Sequence, residues 1–387
     1  MSVKDKKQPY CLMPWIHFHL GHKGQVNACC VANIPYGNIN QQSFDEIWNS
    51  TEINKLRAQF AKGEKDSRCA VCIQREKSGA KSIRQETFEK FPDVDWESPE
   101  PTPIYFDIRF SNICNFRCRS CWHGASSKWF NDAKALRRTA AATAVVENVK
   151  DFDSFIIEYG SALKNAREIY FAGGEPLVTP EHYLLLEWLI NQDTFPRLRY
   201  NTNFSVLDFK GYDLLKLWNY FPEVEILASV DAMGELGEII RKEMKWDQFL
   251  LNRERIREAQ NIQFKIAPTV SLMNMEHLPH FYLEMVRKKI VEAEGFYFNL
   301  LERPYYYNIK AFPADKKRDI IQHYAAFFKE NQVPESIENA MMECLGFMLE
   351  DDLSAKYWPQ FLNESQKLDA LRGEHYLEQI AAKPMAK

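Results

Sequence analysis

At 387 residues, with 45% hydrophobic and 26% charged side chains, the chain has apolar material for more than one core and is neither disordered nor fibrous in composition. A formal charge of -4 excludes a general attraction to phosphate backbones and leaves room only for local basic patches. No apolar run approaches the ~20 residues that span a bilayer, and the opening MSVKDKKQPY lacks the apolar centre of a signal peptide, so a cytoplasmic protein is expected.

Nine cysteines in such a chain point to reduced thiols or metal ligands rather than a disulfide framework. Cys11, Cys29, Cys30, Cys69 and Cys72 precede residue 73, Cys114, Cys118 and Cys121 fall within eight residues, and Cys344 stands alone in MMECLGFML as a buried thiol. His17, His19 and His22 lie close together, but a core or solvent-facing role fits them better than metal ligation. At DVDWESPEPTP, Pro99, Pro101 and Pro103 oppose regular structure and mark a linker.

The segment IYFDIRF then alternates, with Ile104, Phe106, Ile108 and Phe110 on one face and Tyr105, Asp107 and Arg109 on the other, as a half-buried strand does. Five more strands are predicted, near residues 170, 202, 228, 267 and 299, with helices between them. Helical stripes are read from Phe152, Phe155, Ile156 and Tyr159, and from Leu214, Leu217, Trp218 and Phe221. Thr179, Pro180 and Glu181 start a third helix with Leu184, Leu185, Trp188 and Leu189 on its apolar face. Strands alternating with helices predict a parallel α/β sheet, and the chain from 311 onward reads as helices, including DKKRDIIQHYAAFFKEN. The expected domains are 1–98, 99–310 and 311–387.

Cys114, Cys118 and Cys121 have the spacing C-x3-C-x2-C directly after the first of these strands. Three thiolates on one short loop can each ligate an iron of a cubane cluster and leave the fourth iron without a protein ligand. A zinc site would need a fourth ligand, for which His123 is the neighbour. CNFRCRSC after a strand resembles the signature of the radical S-adenosylmethionine (SAM) superfamily, and FAGGEP at 171–176 resembles its glycine-rich GGE element. The resemblance implies a partial (β/α)6 barrel, a SAM-cleaving 4Fe-4S cluster on Cys114, Cys118 and Cys121, and a SAM cradle at Gly173, Gly174, Glu175 and Pro176. It further implies SAM contacts from the strand ends at Asn201, Ser229, Asp231, Thr269 and Ser271, and from Arg241 to the SAM carboxylate. One departure is visible: Ser120 precedes the third cysteine where many members have an aromatic residue, and Trp122 follows it.

The order Cys11, GQVNAC ending at Cys29, GNINQQSFDEIWNS, then Cys69 and Cys72 resembles the SPASM and twitch auxiliary-cluster modules, here placed before the barrel. It implies a second 4Fe-4S cluster on Cys11, Cys29, Cys69 and Cys72, with Gly24 spacing favouring Cys29 over Cys30; a four-cysteine zinc ribbon uses the same ligands. The expected reaction is reductive cleavage of SAM to a 5'-deoxyadenosyl radical and hydrogen abstraction from a peptide, sugar or aminocyclitol, as an oxidoreductase with a flavodoxin or ferredoxin as electron donor. The alternatives are a radical isomerase, epimerase or C–C bond-forming enzyme with a structural auxiliary cluster, and a non-catalytic iron-sulfur or zinc scaffold. Asp107, Arg109, Asn201, Asn203, Lys265, Tyr297, Asn299 and Arg303 form polar strand faces that favour a polar substrate over a lipid, and ERPYYYN reads as a lid or recognition loop. Neither nucleic acid nor membrane is an expected partner.

Overall fold

The computed structural model describes residues 10–77, 81–95 and 101–378; of the linker prolines, Pro99 lies outside them. The main sheet is built from β1 (His17–Leu20), β2 (Gln25–Cys29), β3 (Ala32–Asn38), β4 (Tyr105–Ile108), β5 (Glu168–Phe171), β6 (Arg197–Thr202), β9 (Val224–Ala228) and β10 (Ile262–Ile266). Its strand order is β10-β9-β6-β5-β4-β1-β2-β3. Two short pairs accompany it, β7 (Asp208–Phe209) with β8 (Tyr212–Asp213), and β11 (Thr269–Val270) with β12 (Asn299–Leu300). All six strands read from alternation form, the fifth being split into β10 and β11. The protein is thus a mixed α/β molecule with a largely parallel sheet and a helical C-terminal region. Among the described residues no helix is long and apolar enough to cross a membrane.

By compactness the chain divides into one unit of residues 1–113, 145–199 and 216–224, and a second of 114–144, 200–215 and 225–387. In the first unit β4 pairs in parallel with β5 on one side and with β1 on the other, while β1, β2 and β3 are antiparallel. The N-terminal cysteine segment therefore adds strands to the sheet instead of folding apart from it. This alters one expectation: Tyr105 and Asp107 are as buried as Phe106 and Ile108, so β4 is covered on both faces. On one face Phe18 and Phe106 pack together at 5.8 Å, and Phe18 meets Trp48 and Tyr159, the latter from the helix Phe152–Leu163. Burial of each such ring contributes about 2–3 kcal/mol. On the other face polar residues lie in register, His17 with Tyr105 and Glu168, and His19 with Asp107 and Tyr170.

The helix Pro180–Asn191 forms, but its details differ from the sequence reading. Its buried face is Tyr183, Leu185, Leu186 and Leu189, while Leu184 is 38% exposed. Thr179 stands at the N-cap without capping, because its hydroxyl donates to the Glu175 carbonyl at 3.0 Å. The second unit ends in helices Ala314–Glu330, Glu335–Glu350 and Ser354–Arg372, the last closed by Gly373 at φ +63, a left-handed cap that glycine adopts without steric cost.

Candidate metal centres

In the first unit the four thiols come from three segments of the chain. Cys11 precedes the short helix Met13–Ile16, Cys29 ends β2, Cys69 closes a 3-10 turn, and Cys72 lies in the helix Ala70–Lys77. Ser43 and Glu46 form a reciprocal cap on the helix Phe44–Trp48, and Ser50 caps Thr51–Ala61, which fixes the path from β3 to Cys69. Burial holds the Cys11 thiol well above its ordinary range, and Cys29, Cys69 and Cys72 add to the effect. Burial likewise pushes Cys29 up to about 12, with Cys72 and Cys69 adding. Cys30 is exposed, and the charges around it are those of Asp107, Cys29 and Arg109. Of that pair, Cys29 is the one on which the charges of Cys69 and Cys72 act. Thiols this buried and mutually repelling stay protonated until a cation arrives, which couples their ionisation to metal binding. Among the described residues, no three His, Cys, Asp or Glu side chains are drawn together as a ready single-ion site.

His17 and His19 are core residues and His22 is exposed. His17 Nδ1 lies 3.1 Å from the Ala28 carbonyl, and burial lowers this imidazole to about 4. His19 Nδ1 lies 2.8 Å from Asp107 Oδ2, and Asp107 also accepts from Arg109 through Nε and Nη2 at 3.1 Å each.

The glycine element belongs to the same unit. Gly174 has φ +53, and a Cβ there would stand 2.2 Å from the Ile113 carbonyl oxygen, so only glycine permits that backbone approach. Gly173, at φ +79, makes room for the Arg109 side chain, whose Cβ lies 2.8 Å from where its own would be. Glu175 is buried; its amide donates to the Ile113 carbonyl at 2.7 Å and its Oε1 accepts from the Leu177 amide at 3.0 Å, beside the buried Pro176.

In the second unit, Cys114, Cys118 and Cys121 lie on one half-buried loop. The Arg117 and Arg119 amides donate to the Lys242 and Ile240 carbonyls, so the loop runs beside the segment that carries Arg241. Arg241 Nη1 is 3.9 Å from Cys118 Sγ, and its Nη2 is 2.9 Å from Asp231 Oδ1 and 3.5 Å from Thr269 Oγ1. The Thr269 amide donates to the same Asp231 oxygen at 2.7 Å. Cys118, Asp231, Arg241 and Thr269, separated by up to 151 residues, are thus one constellation. Burial pushes Cys121 up to about 12, with Cys118 adding; burial also raises Cys118, against the charge of Arg241. Asn201 Oδ1, Asp231 Oδ2 and Arg241 Nε are buried without a hydrogen-bond partner. Orphaned donors and acceptors of this kind are costly unless a ligand completes them.

Ser229 and Ser271 fall beyond the ends of their strands. The Ser229 amide donates to the Thr202 carbonyl, and Ser271 is taken up by Asn274, whose Oδ1 accepts from its amide at 2.9 Å. Asn274 itself, donating to the Asp231 and Thr269 carbonyls, escapes the sequence reading; its only signal is an asparagine three residues after Ser271. Asn115 was likewise missed: it donates to Ser205 and accepts from Asn203, tying the cysteine loop to the turn after β6. Trp122 is 57% exposed.

Residues 11–73 match the SPASM family, described as an iron-sulfur cluster-binding domain. No curated protein matches the chain. Among solved structures, the chain is similar to Streptococcus suis SuiB bound to S-adenosylmethionine, at 13% identity and a TM-score of 0.40, over 83% of this chain and 69% of that one. It is also similar to TYW1 with a lysine-pyruvate adduct bound, at 12% identity and a TM-score of 0.30, over 56% of this chain and 70% of that one.

Proposed function

We propose that this chain is a radical SAM enzyme that abstracts hydrogen from a polar substrate, with an auxiliary 4Fe-4S cluster on Cys11, Cys29, Cys69 and Cys72 taking part in a net redox reaction. The observation that carries the reading is the constellation beside the three-thiol loop: Arg241 reaches Cys118, Asp231 and Thr269, with buried polar atoms on Asp231 and Arg241 lacking partners. Cys114, Cys118 and Cys121 fit a four-iron cluster with one open iron, and the orphaned atoms fit the polar ends of SAM. When bound, the cluster supplies the electron that cleaves SAM to methionine and a 5'-deoxyadenosyl radical. Arg241 serves as the SAM carboxylate anchor, held in place by Asp231, and Glu175 as the partner of the SAM amino group. The register of His19, Asp107 and Tyr170 on a buried sheet face supports a polar substrate of the peptide, sugar or aminocyclitol kind. A flavodoxin or ferredoxin is the electron donor this chemistry calls for.

Anaerobically reconstituted protein should hold about eight irons per chain, as two four-iron clusters require. Cys114→Ala with Cys118→Ala and Cys121→Ala should remove about half of them and abolish 5'-deoxyadenosine formation; continued SAM cleavage by that variant sinks the proposal. Cys69→Ala with Cys72→Ala should keep SAM cleavage and deuterium transfer from labelled substrate into 5'-deoxyadenosine, but lose net product. Full product formation without the N-terminal cluster would turn the reading toward an isomerase or bond-forming enzyme with a structural auxiliary cluster.

A further inference from the structure

Arg119 sits between Cys118 and Cys121, where a charged side chain on a short loop ordinarily reaches solvent. Its side chain is instead fully buried. Its Nη2 meets the carboxylates of both Asp369 and Glu374, and the guanidinium lies over the Tyr376 ring at 4.7 Å. These partners belong to the end of the last helix and the turn behind it, 250 residues and more along the chain. A second anchor runs beside the first: Arg372, also with no exposed side-chain surface, donates through Nε to Asp132 at 2.9 Å, and Asp132 accepts from Arg117 of the loop at 2.9 Å. The third is Trp129, whose Nε1 donates to the Cys118 carbonyl at 2.6 Å. Its ring lies against the Arg372 guanidinium at 5.0 Å and packs with Leu368, and Cys121 borders this cluster. Glu374 also pairs with Lys242 at 2.8 Å, and the Lys242 carbonyl accepts the Arg117 amide, so the loop is held from both sides.

Burying guanidinium groups costs several kcal/mol each unless carboxylates accompany them. A helix that needed only to cover apolar surface would do so with leucines. Here the buried charges converge on residues 117–132, the loop and its return, which is where a spacing of three thiols has to be held. We propose that the C-terminal segment 354–376 is a working part of the cluster site, with Arg119 and Arg372 as positioning residues: Arg119 fixes the loop that spaces the three thiols, and Arg372 places positive charge beside them. This rests on the reading of Cys114, Cys118 and Cys121 as cluster ligands.

The test uses the full chain, anaerobically reconstituted, with iron release to a chelator followed in time. The release phase absent from the C114A/C118A/C121A variant reports the loop cluster. Arg119→Met should speed that phase about tenfold, since an unanchored loop opens more often. Arg119→Lys keeps the charge but not the two-carboxylate fork, should give an intermediate rate, and carries the test if the Met variant does not fold. Arg372→Gln, which keeps a hydrogen bond to Asp132, should move the midpoint potential of the loop cluster to more negative values and alter its reduced electron paramagnetic resonance signal. Release within twofold of the parent in the Arg119 variants overturns the anchoring role, and an unmoved potential in Arg372→Gln overturns the charge role. If the parent shows no phase that depends on the three cysteines, the ligand assignment has failed, and the loss is of the proposed function rather than of the clasp alone.

Discussion

The two cysteine sets are built in opposite ways. Cys114, Cys118 and Cys121 span eight residues on one loop, whereas Cys11, Cys29, Cys69 and Cys72 come from segments separated by 18 and 40 residues. Metal bound by the loop ties together chain that is already adjacent. Metal bound by the N-terminal set closes long loops and ties β2 to two separate stretches. Loop-closure entropy grows, slowly, with the length of chain closed, so the same chemistry should stabilise the N-terminal set more than the loop.

Heating the anaerobic protein with and without reconstituted iron would break this comparison most decisively. Loading should raise the melting temperature, as ligand that binds only the folded state does. More of the rise should survive in C114A/C118A/C121A than in C69A/C72A. By analogy with a cross-link of 15 or more residues, the N-terminal contribution should be about 3 kcal/mol or more. An equal loss in both variants would show that loop length does not govern the effect.

A finer division runs inside the N-terminal set. Cys29 shares an electrostatic neighbourhood with Cys11, Cys69 and Cys72, while Cys30 is placed among Asp107 and Arg109. Cys29→Ser should therefore cost about one four-iron cluster, roughly half the bound iron, and Cys30→Ser should leave iron content near that of the parent. Iron analysis of the two variants decides it, and the reverse pattern would reassign the ligand.

The same contrast explains what could be read from the sequence. The loop was legible because its spacing needs no fold to interpret it, and the six strands were legible because alternation is local. Asp107 shows where locality ends: alternation puts it on the polar face of a half-buried strand, yet it is 1% exposed and its carboxylate is taken up by His19, some ninety residues earlier in sequence, and by Arg109. Asn115 and Asn274 escaped because an asparagine in a loop carries no sign of the carbonyl or hydroxyl it will meet. The Leu184 stripe was off by one position because the apolar run on that helix is wider than its buried face, and sequence alone does not say which edge is covered.

The smallest effect expected tests how acid acts on the strand that joins the N-terminal set to the sheet. His17, buried on β1, titrates near 4 in the folded protein because burial disfavours its charged form, the nearby Asp107 only partly offsetting this. In the unfolded chain it takes up a proton near 6.5. Above that value both states are neutral and the residue has no effect on the pH dependence. As pH falls from about 6.5 towards 4 the unfolded state binds the proton alone, so stability falls at up to about 1.4 kcal/mol per unit, and the loss is complete below the folded value. Between pH 7 and pH 5 that amounts to about 2 kcal/mol, measurable by denaturant unfolding of the metal-free protein, where acid lability of clusters does not intrude. His17→Gln should remove this share of the slope while His182, lowered to about 3 by burial, continues to contribute its own. A variant with the parent's full pH dependence would mean that His17 is already protonated, or solvated, in the folded state, and that the polar face of the sheet is wetter than its burial implies.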